Sequence, residues 1–148
     1  MKVVIQLVSE AALSIAGKLH ASIGHGMVCF VGFTHDDSPV IIDAMLDKLM
    51  KLRIFPDENG KTNVSLSETK GQLLLVPNFT LYANTVGSRR PSFTNAAKPE
   101  VAAKLFAHLT SSLTTLYPLS KVGVFGADMS IVVHNQGPFT LILDSNDK

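Results

Sequence analysis

Apolar positions recur along the chain with two periods, and the switch between them separates strands from helices. Residues Lys2 to Val8, rich in valine and isoleucine, predict a first strand. Ala12 to Ala16 predicts a second that ends at Gly17-Lys18, and His20 to Ile23 a short third. Met27 to Phe33 is nearly all apolar and is bracketed by Gly24, Gly26 and Gly32, which predicts a strand covered on both faces. From Ser38 the period lengthens. Ser38 offers a capping hydroxyl, Pro39 suits the first helical position, and Ile42, Met45, Leu46, Leu49 and Met50 follow at helical spacing. That helix is expected to end near Ile54, before Pro56, and Asn59-Gly60 supplies a tight turn. Leu73 to Val76 and Phe79 to Ala83 read as strand interrupted by Pro77-Asn78, where the missing proline donor bends or ends the pairing. The polar, basic run Asn84 to Ala97 reads as a loop. A second helix opens at Pro99-Glu100, with Ala102, Leu105, Phe106, Leu109, Leu113 and Leu116 on one face. Strands at Ser130 to His134 and Phe139 to Leu143 are joined through Asn135-Gln136-Gly137-Pro138, which reads as a turn. There is no internal repeat and no linker, so residues 1–148 are expected to form one α+β domain.

Composition fits that picture. The chain has 148 residues, 46% of them hydrophobic and 17% charged, which argues against disorder. Mean hydropathy is +0.26, slightly apolar, in keeping with surface covered by a partner subunit. The formal charge of +1 conceals a cancellation: Lys48 to Lys98 carries +5 and the remainder −4. The total excludes a broad basic nucleic-acid binder. Lys48, Lys51 and Arg53 fit either a solvated helix face or phosphate contact, and Arg89-Arg90, in a loop, are the better phosphate candidates. No apolar run reaches the ~18 residues of a membrane span, and the N-terminus lacks a signal-peptide core. The single cysteine, Cys29, lies in an apolar run and reads as a buried core residue. Together these predict a soluble protein of a reducing compartment, the cytoplasm.

Conventional catalytic patterns are missing. The five histidines are scattered without metal-ligand spacing, and His35-Asp36-Asp37 reads as a solvated loop rather than a ligand set, so no metal or other cofactor is expected. No glycine-rich phosphate loop, nucleophile elbow or placed carboxylate pair occurs. Two segments stand out for their backbone chemistry. In Pro77-Asn78-Phe79-Thr80-Leu81-Tyr82 a strand breaks before a hydroxyl-bearing stretch, where Thr80 reads as a β-branched strand residue in preference to a nucleophile. In His134-Asn135-Gln136-Gly137-Pro138-Phe139-Thr140 an X-Pro bond sits in a tight turn, a setting in which cis peptides occur.

These segments belong to a longer series of blocks. Val4-Ile5-Gln6, Val8-Ser9-Glu10-Ala11, Leu52-Arg53-Ile54-Phe55, Asn63-Val64-Ser65-Leu66, Phe79-Thr80-Leu81-Tyr82-Ala83, Arg89-Arg90-Pro91-Ser92-Phe93-Thr94, Val124-Phe125-Gly126-Ala127-Asp128-Met129 and Asn135-Gln136-Gly137-Pro138-Phe139-Thr140 occur in order. In this the chain resembles the D-aminoacyl-tRNA deacylases nearly end to end. The resemblance implies a single α+β domain of mostly antiparallel, barrel-like sheet with two helices, assembled as a homodimer. It implies hydrolysis of the ester between a D-amino acid, or mischarged glycine, and the 3′ end of tRNA, with no cofactor. Gly137-Pro138 is then a cis dipeptide that reaches from one subunit into the other's pocket and excludes an L side chain. Backbone amides at Phe79 and Thr80 hold the oxyanion, and Pro77, Asn78, Met129, Asn135 and Thr140 belong to the pocket. Arg89 and Arg90 are the expected contacts to the acceptor end of the tRNA.

Three positions depart from the family pattern. Leu7 stands where the family has arginine, and Pro77-Asn78 where it has Ser-Gln. A related branch that clears L-alanine from tRNA shares the proline and lacks the arginine, whereas Phe79 follows the D-specific branch. Two alternatives therefore stay open: a deacylase that also admits small L-amino acids, and a catalytically silent tRNA-binding relative.

Overall fold

A computed structural model describes residues 1–147. Its first strand, β1, runs unbroken over Lys2–Ile15 and replaces the two strands expected there. The polar pair Ser9-Glu10, which suggests a break in sequence, is an exposed step in a continuous strand. Ala16 and Gly17 both take positive φ, 50° and 75°, and turn the chain into β2, Lys18–Ile23. The first half of β1 pairs antiparallel with β3, Gly26–Gly32, and its second half with β2. Along its other edge it pairs with β8, Met129–Asp144. β6, Gln72–Pro77, lies parallel to β3, and β7, Ser120–Val122, parallel to β6. The order β2-β1-β3-β6-β7, with β8 against β1, makes a nearly closed, barrel-like sheet in an α+β domain.

The helices cover one face of this sheet. α1 spans Pro39–Lys51 and starts on Pro39, without any bond from the Ser38 side chain. It stops before the expected Ile54, because Leu52 turns to extended geometry and Arg53–Pro56 becomes strand β4. β4 pairs with β5, Thr62–Ser65, around a turn in which Asp57 Oδ1 accepts the N–H groups of Asn59 and Lys61, each at 2.9 Å. A one-turn helix, α2, Leu66–Thr69, follows. Ser65 caps it reciprocally with Glu68, and those hydrogen bonds hold the Glu68 carboxyl below its ordinary range. α3 is Pro99–Leu116. Two helices were expected; α2 is a third, too short to carry a helical period.

The core has two parts. The larger packs Ile5, Met27, Cys29, Ile42, Leu46, Phe55, Leu75, Leu109 and Leu113 between sheet and helices, and the smaller gathers Val8, Leu13, Ile23, Val28, Leu74 and Val76 on the opposite side. β3 feeds both, as its continuous apolar run predicts. Burial pushes the Cys29 thiol up, so it remains a protonated core group. Leu116, expected on the buried stripe, is 58% exposed. Tyr117 takes the buried place instead, donating its hydroxyl to the Gly71 carbonyl at 2.5 Å.

The two C-terminal strands are likewise one. Gln6 pairs with Thr140 and Val8 with Asn135, so residues 136–139 stand out from β8 opposite Leu7 alone. Asn-Gln-Gly-Pro has turn chemistry, yet the chain does not reverse. It bulges and resumes pairing with the same neighbour.

Phe55 is fully buried and meets the His25 ring edge-on, with centroids 5.5 Å apart. Phe55→Ala is expected to destabilise the fold by about 3–5 kcal/mol. Urea unfolding checks this, and a loss below about 1 kcal/mol would place Phe55 outside the core.

Candidate active site

The last residues of β3 and β6 run side by side, Val31 opposite Pro77, and there the sheet stops. Pro77 has no N–H to continue a ladder. Phe79–Tyr82, expected as strand, forms a 3-10 turn instead. Asn78 caps it: its Oδ1 accepts the Thr80 N–H at 3.3 Å and the Thr80 hydroxyl at 2.5 Å. The Asn78 N–H donates back to Val31 O at 2.7 Å and fixes the turn to β3. Gly32 permits this closeness, because a Cβ there would lie 2.9 Å from Asn78 O and 3.1 Å from Leu81 Cβ.

This turn borders a cavity of about 850 Å³. Pro77, Asn78, Phe79 and Met129, all expected in the site, line it. The lining is mainly apolar and aromatic, and among the described residues His35 and Lys98 are its sole ionisable side chains. Phe79 is 58% exposed and meets Phe93 edge-on, with centroids 5.1 Å apart and planes at 68°. As the first residue of a helical turn, Phe79 has an N–H without an intrahelical acceptor. Among the described residues nothing else accepts it. Its amide is therefore open, while that of Thr80 already has a long bond. Thr80 itself is not on the cavity wall.

The other expected site residues form a separate group. Gly137 and Pro138 lie on the bulge of β8, with Asn135 and Thr140 paired to β1 at its base, and none of the four lines this cavity. The Gly137–Pro138 peptide bond is cis, the isomer the resemblance implies, and Gly137 has φ +121°. Asn135 ties the base of the bulge: its Oδ1 accepts the Phe139 N–H at 3.1 Å and its Nδ2 donates to Thr140 Oγ1 at 3.2 Å. Gln6 Nε2 donates to the same hydroxyl at 3.3 Å. Leu7, where the resemblance leads one to look for arginine, is 7% exposed and belongs to the main core.

Arg89 and Arg90 are exposed in the segment closed by the paired Asn84 and Ser92. Immediately beyond it, Phe93 and Thr94 reach the cavity wall. Sequence reasoning did not single out Phe93, Phe125 or His35 as wall residues. Phe93 and Phe125 do lie within the resemblance blocks, which was their available signal. Among the described residues no group of three His, Cys, Asp or Glu side chains is placed to hold a metal ion. No described helix is long and apolar enough to cross a membrane.

The structure thus defines a class of site: a barrel-like α+β domain with a mainly apolar cavity, edged by a main-chain amide that has no partner among the described residues. Comparison with known proteins narrows the class. The family model for D-Tyr-tRNA(Tyr) deacylase matches residues 4–144, and the chain belongs to that family. It is 43% identical over 145 residues to a D-aminoacyl-tRNA deacylase of Bacillus velezensis, covering 98% of this chain and 99% of the relative. It is 44% identical over 149 residues to a D-aminoacyl-tRNA deacylase of Cytophaga hutchinsonii, covering 100% and 99%. Among solved structures, a c-Myc DNA unwinding element binding protein superposes with a TM-score of 0.93 at 31% identity, over 99% of this chain and 100% of that one. A structure described as "a probable eukaryotic D-amino acid tRNA deacylase" has a TM-score of 0.87 at 17% identity, over 96% and 97%, and shares the fold.

Gly32→Ala is expected to push the 3-10 turn off β3 and cost about 1–3 kcal/mol, since the atom it meets is backbone. Thermal unfolding together with amide chemical shifts of residues 78–82 checks this. An unshifted turn and an unchanged midpoint would show that the approach is slack.

Proposed function

We propose that the protein hydrolyses the ester joining a D-amino acid, or mischarged glycine, to the 3′ end of tRNA, and that it does so as a homodimer. The end-to-end likeness to relatives named D-aminoacyl-tRNA deacylase carries this reading. The cavity supports it chemically. An aminoacyl ester is an activated acyl group, so holding it beside a water and a donor replaces much of the machinery a stable amide requires. The open Phe79 N–H is the donor for the developing oxyanion, a kind of contact whose removal costs ~2.7–4 kcal/mol in known cases. The neighbouring ribose 2′-hydroxyl assists the water. On this reading the Thr80 hydroxyl is a positioning group and not the nucleophile, in keeping with its donation to Asn78 Oδ1 and with the lack of a hydrogen-bonded base among the described residues. It positions the turn through Asn78.

Chirality is judged by the bulge of β8. Gly137 and Pro138 are exposed and lie away from their own cavity, and the proposed dimer brings them to the pocket of the second subunit. There their main chain leaves space for hydrogen but not for an L side chain. Among the described residues the 16-residue β8 pairs with no strand besides β1, and it exposes Val132 and Ile142, a surface suited to a second copy. A second reading, a pocket that also takes small L-amino acids, is favoured by Pro77 on the cavity wall and by an apolar Leu7 beneath the bulge.

Incubation with D-Tyr-tRNA, L-Tyr-tRNA, Gly-tRNA and L-Ala-tRNA separates these readings. Release of D-tyrosine and glycine with L-tyrosine retained is the expected outcome. Release of L-alanine as fast as D-tyrosine would establish the broader pocket, and tRNA binding with no turnover at all would leave a silent binder. Thr80→Ala is expected to keep kcat within about fivefold, whereas a nucleophile's loss costs a factor of about a thousand or more.

The tRNA contact has its own test. Replacing both Arg89 and Arg90 by alanine is expected to weaken tRNA binding equally for every attached amino acid. It should also lower the salt slope of log K by about 0.7–0.9 per lost phosphate contact. An unchanged slope would place the phosphate contacts elsewhere.

A further inference from the structure

His35 lies in a stretch, His35-Asp36-Asp37, whose composition suggests only a solvated loop. In the fold it is one of two ionisable side chains on the cavity wall, and its Nε2 lies 2.7 Å from the Thr94 carbonyl oxygen. A carbonyl only accepts, so Nε2 carries the proton and donates. This bond is part of a lacing between two segments. The Ala97 N–H donates to Phe33 O at 2.9 Å, and Thr34 Oγ1 donates to Asn95 O at 2.8 Å. The His35 bond is the member of the set nearest Phe93.

Phe93 is held at its main chain, its carbonyl accepting the Ala96 N–H at 3.0 Å, and the His35 bond one residue further on adds to that hold. It is 40% exposed, and it follows the long polar segment closed by Asn84 and Ser92. Its described aromatic contact is the edge-on approach to Phe79, the residue whose N–H is open. A continuous path therefore runs from the His35 ring through the Thr94 carbonyl to the Phe93 ring and on to the Phe79 ring.

We propose that His35 is a positioning residue for this site: by holding the Thr94 carbonyl it keeps Phe93 against Phe79, and so holds the Phe79 amide in register with the substrate ester. His35 moves no proton in this role and touches no reacting atom. The proposal deepens the deacylase reading and rests on it for its kinetic consequences, but the brace itself can be measured without turnover.

The test uses the full chain carrying His35→Ala, His35→Gln, Phe93→Leu or both His35→Ala and Phe93→Leu. Glutamine carries an amide N–H at about the reach of Nε2 and can restore the bond. With D-Tyr-tRNA, His35→Ala is expected to lower kcat/KM about tenfold, the scale of one lost hydrogen bond that orders a site. His35→Gln is expected to recover to within about threefold of the parent. The double variant should be no worse than the poorer single variant, because both changes break one path. Equal loss in the alanine and glutamine variants, multiplying losses in the double variant, or no loss at all would each overturn the proposal. Hydrogen exchange of the amides of residues 92–97 provides the readout independent of activity. It is expected to quicken about tenfold in His35→Ala and to return toward the parent rate in His35→Gln. Unchanged exchange overturns the brace even if the enzyme is active, whereas quickened exchange in a protein that releases no D-amino acid keeps the brace and removes the deacylase reading.

Discussion

The architecture depends on the two-sided pairing of β1. One edge of this strand is shared by β3 and β2 in succession, and the other is occupied by β8 along nearly the whole length. Each neighbour thereby gains a register from the same 14-residue ruler. A one-residue slip would turn Val3, Ile5 and Leu7 away from the main core, so apolar alternation holds the ruler in place. The bulge of β8 is possible because pairing resumes on both sides of it. Lys2 to Gln6 grip one arm and Val8 to Ile15 grip the other, which leaves the four residues between them projecting from a rigid base.

The cavity arises where the other half of the sheet gives out. β3 and β6 are parallel, and their ladder ends when β6 reaches Pro77. A proline there converts the next residues from strand into a turn, and Asn78 supplies the cap the turn needs. The same two residues that stop the sheet thus set the Phe79 amide free. Gly32, at the end of β3, removes the atom that would otherwise hold the turn away. Chain termination, cap and close approach are three local facts with one consequence, an unpaired donor at the edge of an apolar space.

Much of the fold was legible in the sequence, and the failures have two causes. The apolar run of β3, the Pro39 helix start and the stripe of α3 declare themselves because burial imposes a period. β4, β5 and α2 span only four residues each, too few for any period to show. The two merged strands misled for a different reason. Ser9-Glu10 and Asn135-Gln136-Gly137-Pro138 have the residue types of turns, but β1 and β8 sustain each other through both interruptions. Local chemistry was outvoted by long-range pairing, which no window of sequence contains. The site was legible as a set of segments, since Pro77-Asn78 and Gly137-Pro138 are unusual dipeptides wherever they fall. Its assembly was not. Phe93 and His35 join it through a carbonyl contact across 59 positions of chain.

An apolar cavity with just a histidine and a lysine on its wall constrains how selectivity can operate. Charge cannot separate a D-amino acid from its mirror image, because both carry the same groups. Apolar burial cannot either, since the side chain has the same area in both. What remains is the direction in which the side chain leaves the α-carbon, and that is sensed only by a surface placed close to that carbon and too stiff to yield. A flexible side chain makes a poor surface of this kind, because it rotates away at a cost of ~0.5–1.5 kcal/mol. Main chain anchored on both sides by a strand ladder does not rotate away. The bulge at residues 136–139 meets that requirement, and its own cavity does not include it. On the deacylase reading, then, the cavity supplies a donor and a place to bind, and a wall built from this bulge has to meet the substrate from outside the cavity of its own chain.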